Sequence, residues 1–400
     1  MNQWINDKYL TMPSIDKLSI LKLDLSENRD INKHLKKIIN SMSQAFYSNT
    51  IFYPIILSDL NINSIRKTFS DFNLSFNKIS DTKFSSDLNE MNTVVAFDLI
   101  IEKNIIRINF LAYDQDSTSK YISYILHALH TFCHMFKYNY DGLVIDVCLD
   151  SNERNLLNKR NFETKINNST LQEIFLYLKQ KSAAFNVSGV TNRSLNKIIL
   201  TKKEEIIKLM YHELVHYIGL DREFVGKEID FGWETTPSYL NVSEAYTEFM
   251  SIILNSAYET IHMCRLTNDN MYYLYEKILC AEINYSIYLS SSILKFFGYD
   301  HKNVVSFFRH DTNFSFGDKK SSPIYVWEYI ILRANLLQNL NKVSEIVADS
   351  WKITSQNRNQ IIKLMKDTDS FINKIQILMK TTQVLNNISY TVIDYNWGII

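Results

Sequence analysis

The chain has 400 residues, of which 46% are hydrophobic and 22% are charged, and its 43 basic and 43 acidic residues cancel. These proportions are typical of a globular protein that buries a large core. A net charge near zero gives no argument for binding nucleic acid or an anionic membrane surface, and no apolar run is long enough to span a bilayer.

The front half of the chain mixes helical and strand patterns. Apolar residues recur at helical spacing in three segments, and helices are predicted over 30–48, 117–138 and 171–185. Apolar runs rich in β-branched residues predict strands at 50–57, 142–150 and 196–201. Between these, segment 92–113 predicts two strands joined by a tight turn at Glu102–Asn104.

Beyond Val242 nearly every segment has helical spacing. The predicted helices cover Val242–Leu266, Asn270–Phe297, Pro323–Leu337, Val343–Trp351 and Asn357–Lys380. The sequence therefore predicts an α+β protein whose back half is all-helical. We expect three regions: a mixed α/β region of unknown role over 1–90, an α/β lobe over 91–240 and a helical lobe over 241–400.

The segment EEIIKLMYHELVHYIGLD, which lies near the boundary of these halves, contains two histidines four residues apart. On a helix these positions lie one turn apart on the same face, so His212 and His216 can direct their imidazoles at one metal ion. Glu213 follows the first histidine, as in metallopeptidases whose glutamate takes the proton of the attacking water. The alternative is a core helix with two hydrogen-bonded histidines.

A catalytic zinc ion needs a third protein ligand from another part of the chain. Glu244 is the favoured candidate, because NVSEAYTEFMSIIL predicts a helix on which Glu244 and Glu248 share one face beside an apolar stripe. Glu248 would then hold the far ring nitrogen of one of the two histidines. Two alternatives stay open. The face could be a solvated charged one, or the ligand could come from the connecting loop, which contains Asp221, Glu223, Glu228 and Glu234.

Two more parts of a peptidase site have candidates in the sequence. An edge strand that pairs with an extended substrate is expected around Gly189, where glycine permits close backbone approach. The alternative is the strand Lys197–Thr201, just before the helix, with a purely structural role. A donor for the oxyanion of the tetrahedral intermediate is also needed. Tyr239 is the first candidate, followed by His262 and Tyr246.

Histidine and cysteine also cluster within two turns of the predicted helix over 117–138, at His127, His130, Cys133 and His134. These spacings could present several ligands to a metal, but a half-buried amphipathic helix is favoured. The four cysteines of the chain form no C-x-x-C pair, which is typical of free thiols in a reducing, intracellular compartment. No apolar stretch of the secretory kind stands near the first residue, so no signal peptide is expected.

Between Leu143 and Tyr258 the sequence resembles a known group of proteins. NVSGVTNRSLNKIILTKKEEIIKLMYHELVHYIGLD and the later SEAYTEFMSIILNSA are similar to predicted HExxH metalloproteases encoded by large DNA viruses of eukaryotes. The shared features are an N-S-G-x-T segment (here with Val187 inserted), the acidic pair Glu204–Glu205, the HExxH set and an E-x-Y-x-E-F helix. The resemblance implies a gluzincin-like zinc metalloprotease that acts on a protein or peptide, in the host cytoplasm or the virion.

The first hypothesis is therefore a zinc-dependent peptidase. Its zincin-like core would comprise a mixed sheet and the HExxH helix, and the helical lobe would supply the third ligand. His212, His216 and Glu244 hold Zn²⁺, and Glu213 acts as general base. The second hypothesis is a non-catalytic zincin-fold protein, structural or binding a host factor. A purely structural zinc ion is a weaker third, since it needs a fourth protein ligand.

Overall fold

A computed structural model describes residues 31–47, 54–56, 61–76, 87–113, 115–149, 187–203, 205–234, 239–267, 270–309, 326–382, 384 and 390–392. Every described strand ends before Val242, and the regular structure described after that residue is helical. The protein is therefore of mixed α+β class, as the sequence predicts.

A six-stranded mixed sheet lies in the front half, with strand order β1-β2-β3-β4-β6-β5. Its strands are β1 (Pro54–Ile56), β2 (Thr93–Ile101), β3 (Asn104–Ala112), β4 (Val144–Cys148), β5 (Gly189–Asn192) and β6 (Lys197–Leu200). Strands β1, β2 and β3 are antiparallel neighbours, β3, β4 and β6 run parallel, and β5 is antiparallel to β6. Strand β5 is thus an edge strand, since within the described ranges no strand pairs with its outer side.

The helices that lie before Val242 include α1 (Lys33–Tyr47), α2 (Ile62–Phe76), α3 (Gln115–Met135) and α4 (Ile206–Ile218). A small antiparallel pair follows, formed by β7 (Glu228–Asp230) and β8 (Tyr239–Asn241). The later helices are α5 (Val242–Thr267), α6 (Met271–Phe296), α7 (Val304–Phe308), a π-helix (Trp327–Leu332), α8 (Arg333–Gln338), α9 (Leu340–Val347), α10 (Arg358–Lys366) and α11 (Asp369–Met379). Among the described helices, none combines the length and the apolar character needed to cross a membrane.

Helix α4 lies at the centre of the fold. Almost all of its side chains are buried, and it contacts the strands β5 and β6 and the helices α3 and α5. One hydrophobic cluster extends from Ile31 to Val392 and contains side chains from each of the three regions predicted from the sequence. The three regions therefore share a core, and α4 connects the sheet to the helical half.

Most predicted elements are confirmed with small shifts at their ends, including the β2–β3 turn, where Glu102 has a φ of 56°. One prediction was wrong: the single helix over Asn357–Lys380 is two helices, because Asp367 has an extended backbone that ends α10. The three-residue strands β7 and β8 were not predicted, since such short strands show no periodicity. The helix predicted over 171–185 lies outside the described residues.

Candidate metal centre

Both histidines are carried by α4, whose end is fixed by the backbone. Gly219 has a φ of 74°, and the N–H groups of Gly219 and Leu220 donate to the carbonyl oxygen of Val215 at 3.0 and 3.2 Å. A left-handed residue of this kind ends many helices and is usually glycine, because other side chains clash there. The chain thereby turns back, and Asp221 comes to lie against His216.

The start of α5 is tied to the end of α4. The Asn241 side chain accepts from the Ser243 N–H at 3.1 Å, which caps the helix. The Ser243 hydroxyl donates to Asp221, which also receives the Nδ1–H of His216. These bonds hold the first turn of α5 against α4, and Glu244 lies in that turn.

Three side chains converge at this junction. Glu244 Oε2 lies 3.4 Å from His212 Nε2 and 3.4 Å from His216 Nε2. The ligand atoms all lie within 4.8 Å of one another. In the described part of the chain, no other group of three or more His, Cys, Asp or Glu side chains has such geometry. The residue favoured from the sequence as third ligand therefore lies with the two histidines.

The second nitrogen of each imidazole faces a buried carboxylate. His212 Nδ1 lies 2.9 Å from Glu248 Oε2, and His216 Nδ1 lies 2.7 Å from Asp221 Oδ2. Because an ionised carboxylate only accepts, each Nδ1 carries a proton, and Nε2 is the ring nitrogen left to bind a metal ion. Glu248 thus has the contact expected of it from the sequence. Asp221 was considered as a metal ligand, and it contacts the far nitrogen of His216 instead.

The charges of the centre favour a cation. Burial opposes a charge on His212, but hydrogen bonds to Glu244 and Glu248 outweigh it and raise the pKa of this histidine. The pKa of His216 is raised well above its ordinary value in spite of burial, by Glu244 and Asp221. Burial would raise the pKa of Glu244, yet the two histidines hold it far below its ordinary range. Carboxylates that draw positive charge onto nearby imidazoles also favour a bound metal ion.

Glu213 lies beside this set but outside it. Its Oε2 accepts from the Thr191 hydroxyl at 2.7 Å, and the same hydroxyl lies 2.8 Å from the backbone oxygen of Glu213. A Cβ atom at Gly189 would come within 2.6 Å of Glu213 Oε1, so only glycine leaves room for the carboxylate against β5. Burial raises the pKa of Glu213, and the two histidines lower it part of the way back. The raised pKa suits a group that takes up and releases a proton.

Sequence reasoning missed Tyr329, which lies in the π-helix. Its hydroxyl donates to Glu244 Oε2 at 3.0 Å, and its ring stands edge-on to His212 at a centroid distance of 5.7 Å. Segments of π-helix occur frequently at functional sites. The neighbouring Glu328 is buried, which raises its pKa to about 8, and it accepts from the Asn241 N–H at 3.0 Å. Tyr329 is 85 positions from Glu244, so no local pattern could have found it.

Two cations lie behind Glu248 and were also missed. Lys208 Nζ contacts Glu248 Oε1, and Arg333 Nη1 lies 3.3 Å from the same oxygen. Lys208 precedes His212 by four residues, so the spacing rule that pairs the histidines could have found it. Arg333 has no such signal. Burial would raise the pKa of Glu248, but Lys208, His212 and Arg333 together hold it far below its ordinary range.

Two of the three oxyanion donors proposed from the sequence, Tyr246 and His262, have other partners. Tyr239 lies in β8 opposite Asp230, and its role stays a prediction. The Tyr246 hydroxyl donates to the carbonyl oxygen of Trp351 at 2.8 Å. His262 stacks on Tyr124 at a centroid distance of 4.9 Å. Tyr329, by contrast, touches the ligand set through its hydrogen bond to Glu244.

The remaining ligand candidates also lie elsewhere. Glu223 pairs with Arg358 at 3.8 Å. Glu234 forms a side-chain hydrogen bond with Tyr299. His127 lies in an aromatic cluster with Phe46, at a ring centroid distance of 4.1 Å. Burial lowers the pKa of His127 to about 4. The sequence favours a half-buried helix with these polar residues facing solvent, but His130 and Cys133 are buried.

Comparison with known proteins gives one extensive match. The chain is 38% identical over 402 residues to "Uncharacterized protein R210" of Acanthamoeba polyphaga mimivirus, which covers 99% of this chain and 100% of that protein. The chain belongs to the same family as this viral protein. No protein-family model matches the chain, and no solved structure matches it. The match extends through nearly all of both chains, so the family relationship includes the helical half as well as the sheet.

Proposed function

We propose that the protein is a zinc-dependent metallopeptidase with a zincin-like core. The observation that carries this proposal is the convergence of His212, His216 and Glu244, with Glu213 beside them and outside the ligand set. If α4 were only a core helix with two hydrogen-bonded histidines, it would not require a carboxylate from another helix that reaches both Nε2 atoms. It also has no need of a second buried carboxylate behind each ring.

The donor set fits zinc in a catalytic role. Two imidazole nitrogens and one carboxylate oxygen are the ligands of one class of catalytic zinc site, which leaves a position open for water or substrate. A structural site would close that position with a fourth protein ligand, and the set formed by the described residues has three members. Bound zinc would lower the pKa of a water and polarise the scissile carbonyl.

Glu213 is assigned as the general base. Its carboxylate takes the proton of the attacking water at Oε1 or Oε2 and passes it to the leaving amine nitrogen. Thr191 holds Oε2 by its hydroxyl, and Gly189 leaves the space that Oε1 occupies. The pKa raised by burial brings this carboxylate closer to the proton affinity that such transfers need near neutral pH.

Strand β5 is assigned as the binding site for the substrate backbone. It is the edge strand, it contacts α4, and Thr191 on it bonds to Glu213. An extended peptide added along its outer side would form main-chain hydrogen bonds and pass close to Glu213. Tyr329 is assigned as donor to the oxyanion in place of Tyr239, because its hydroxyl donates to Glu244 of the ligand set.

Zinc content and cleavage test this proposal together. Elemental analysis of the purified chain is expected to give about one zinc per chain, the ratio of a single-site catalytic centre. Cleavage is followed with a broad peptide library and an unstructured protein. Glu213→Gln is nearly isosteric and should retain zinc while cleavage falls by about 10²–10⁴-fold, the usual contribution of a general base. Glu223→Gln alters a partly exposed glutamate that pairs with Arg358, and it should change neither.

Each alternative has its own outcome. A wild-type chain without stoichiometric zinc refutes the metal site. A zinc-loaded Glu213→Gln variant with full cleavage removes Glu213 from the reaction. A zinc-loaded wild type that cleaves nothing favours the non-catalytic zincin-fold protein, a virion component or a host-factor binder. The proposed location, inside the host cell or in the virion, rests on the viral relative.

A further inference from the structure

A group of buried charges lies behind His212, on the side away from Glu244. Its members are Glu205, Lys208, Glu248, Glu282 and Arg333, each no more than 2% exposed. Lys208 joins two of the carboxylates, since its Nζ contacts Glu248 and lies 3.8 Å from Glu205. Burying ions is costly unless hydrogen bonds and opposite charges compensate them, so the full set of partners is informative.

A short segment far along the chain, Tyr390–Val392, supplies many of these partners. Glu205 accepts from the N–H groups of Tyr390 and Thr391, the latter at 2.9 Å. Glu282 accepts from the Thr391 hydroxyl and from the Val392 N–H at 3.1 Å. Four donors of this segment therefore compensate two buried carboxylates.

The segment also contacts the cations. The carbonyl oxygen of Tyr390 accepts from Arg333 Nη1 at 2.5 Å, and the same nitrogen lies 3.3 Å from Glu248 Oε1. Lys208 Nζ lies 4.9 Å from the centre of the Tyr390 ring, a cation–π contact. The Tyr390 ring also stands 5.8 Å from that of Tyr329.

The backbone of Glu205 is adapted to this arrangement. It precedes the first residue of α4 with a φ of 60° and a ψ of 29°, a left-handed conformation that is unfavourable for a residue with a side chain. Its carboxylate does not cap α4 and instead accepts from Tyr390 and Thr391. Such strain persists only where the surrounding structure holds it, so the contact with the segment has a role that outweighs this cost.

We propose that Tyr390–Val392 is a positioning segment for the metal centre: it orients Arg333, which together with Lys208 holds Glu248 against His212. The path consists of direct contacts, from the Tyr390 carbonyl to Arg333, from Arg333 to Glu248, and from Glu248 to His212 Nδ1. The inference rests on the proposed zinc site. It adds that zinc affinity depends on a segment whose contacts described above do not include the three ligands.

The test uses full-length variants loaded with Zn²⁺ or Co²⁺. Arg333→Met breaks the path, and Thr391→Val removes the hydroxyl bond to Glu282 with little change in shape. Loss of a group that orients a ligand typically costs about 10–100-fold in metal affinity, and we expect this range for Arg333→Met and a smaller loss for Thr391→Val. Both should also shift the Co²⁺ absorption bands, because the geometry at His212 changes.

Asn335→Leu is the matched control. Asn335 lies on the same helix as Arg333, is fully buried, and donates to the carbonyl oxygens of Leu364, Met365 and Asp367. This variant loses buried hydrogen bonds without touching Glu248, so it should destabilise the fold and leave metal affinity and Co²⁺ bands unchanged. Equal changes in metal affinity in the control and in Arg333→Met would overturn the proposal, since general destabilisation would then explain both.

A metal-free measurement separates this inference from the zinc proposal. Thr391→Val and Glu248→Gln are combined in a double-mutant cycle, and unfolding by urea is measured in chelator. Residues in one network change the unfolding constant non-additively, by about twofold or more, whereas independent sites are additive. Coupling supports the positioning segment even if the wild type binds no zinc. Additivity overturns it even if the wild type is an active peptidase.

Discussion

Substituting Gly189 by alanine tests how closely β5 approaches the proposed general base. The added Cβ would lie 2.6 Å from Glu213 Oε1, 3.0 Å from its Cγ and 3.1 Å from its Cδ. Ordinary contacts are about 3.5 Å or more, so the carboxylate or the strand must move by roughly 1 Å. Glu213 is buried and its Oε2 is held by Thr191, which restricts its movement. Overpacking of this kind typically costs about 1–3 kcal/mol of unfolding free energy.

The expected effect on cleavage is larger than that on stability. A displacement of about 1 Å in a reacting group can cost about 10²-fold in rate, while the proposed zinc ligands stay in place. Urea unfolding, zinc content and peptide cleavage are measured for Gly189→Ala in the wild type and in a Glu213→Asp background. The shorter aspartate side chain leaves more space beside the strand, so in that background Gly189→Ala should reduce stability and cleavage much less. If Gly189→Ala reduced stability and cleavage equally in both backgrounds, or had no effect in the wild type, the argument from close approach would be refuted.

Two further predictions concern buried groups near the centre and in the core. Asp221→Asn removes the negative charge behind His216 and should weaken zinc binding by about 10–100-fold in a competition assay, whereas Glu223→Gln should have no effect. Burial lowers the pKa of His127 to about 4 and that of His262 to about 3, so both stay neutral in the folded protein. In the unfolded chain the same histidines take up protons near the ordinary histidine pKa of 6.5. Stability is therefore complete above pH 6.5 and should fall as the pH drops towards 4, by about 1.4 kcal/mol per histidine for each pH unit. His262→Phe should reduce this slope in urea unfolding, and a slope unchanged in that variant would contradict the assignment.

The sequence predicts the centre best where all the information is local. His212 and His216 follow from helical spacing, and Glu244 follows from two acids on one face of an otherwise apolar helix. The sequence shows Asp221 as a nearby acidic residue. Its contact with His216, however, depends on the chain reversal at Gly219, and the spacing of acidic residues does not predict that reversal.

Tyr329 and Arg333 could not have been found in this way. Both reach the centre from a π-helix and the helix that continues it, and both contact residues 85 positions away. Their side-chain directions depend on how the helical half packs on α5, and no periodicity in the sequence encodes that packing. The same holds for Glu205, whose partners at Tyr390 and Thr391 are 185 and 186 positions away.

The four residues of β5 have a consequence for what the protein could cut. A peptide can add to this edge only as an extended strand. A target segment that lies in a helix or in the interior of a sheet must therefore first break its own backbone hydrogen bonds. For a folded target, the rate of the proposed cleavage would then follow how often the segment opens, which is a property of the target. Loops and chain ends would be cut first, and a ligand that stabilises the target would protect it without ever touching this protein.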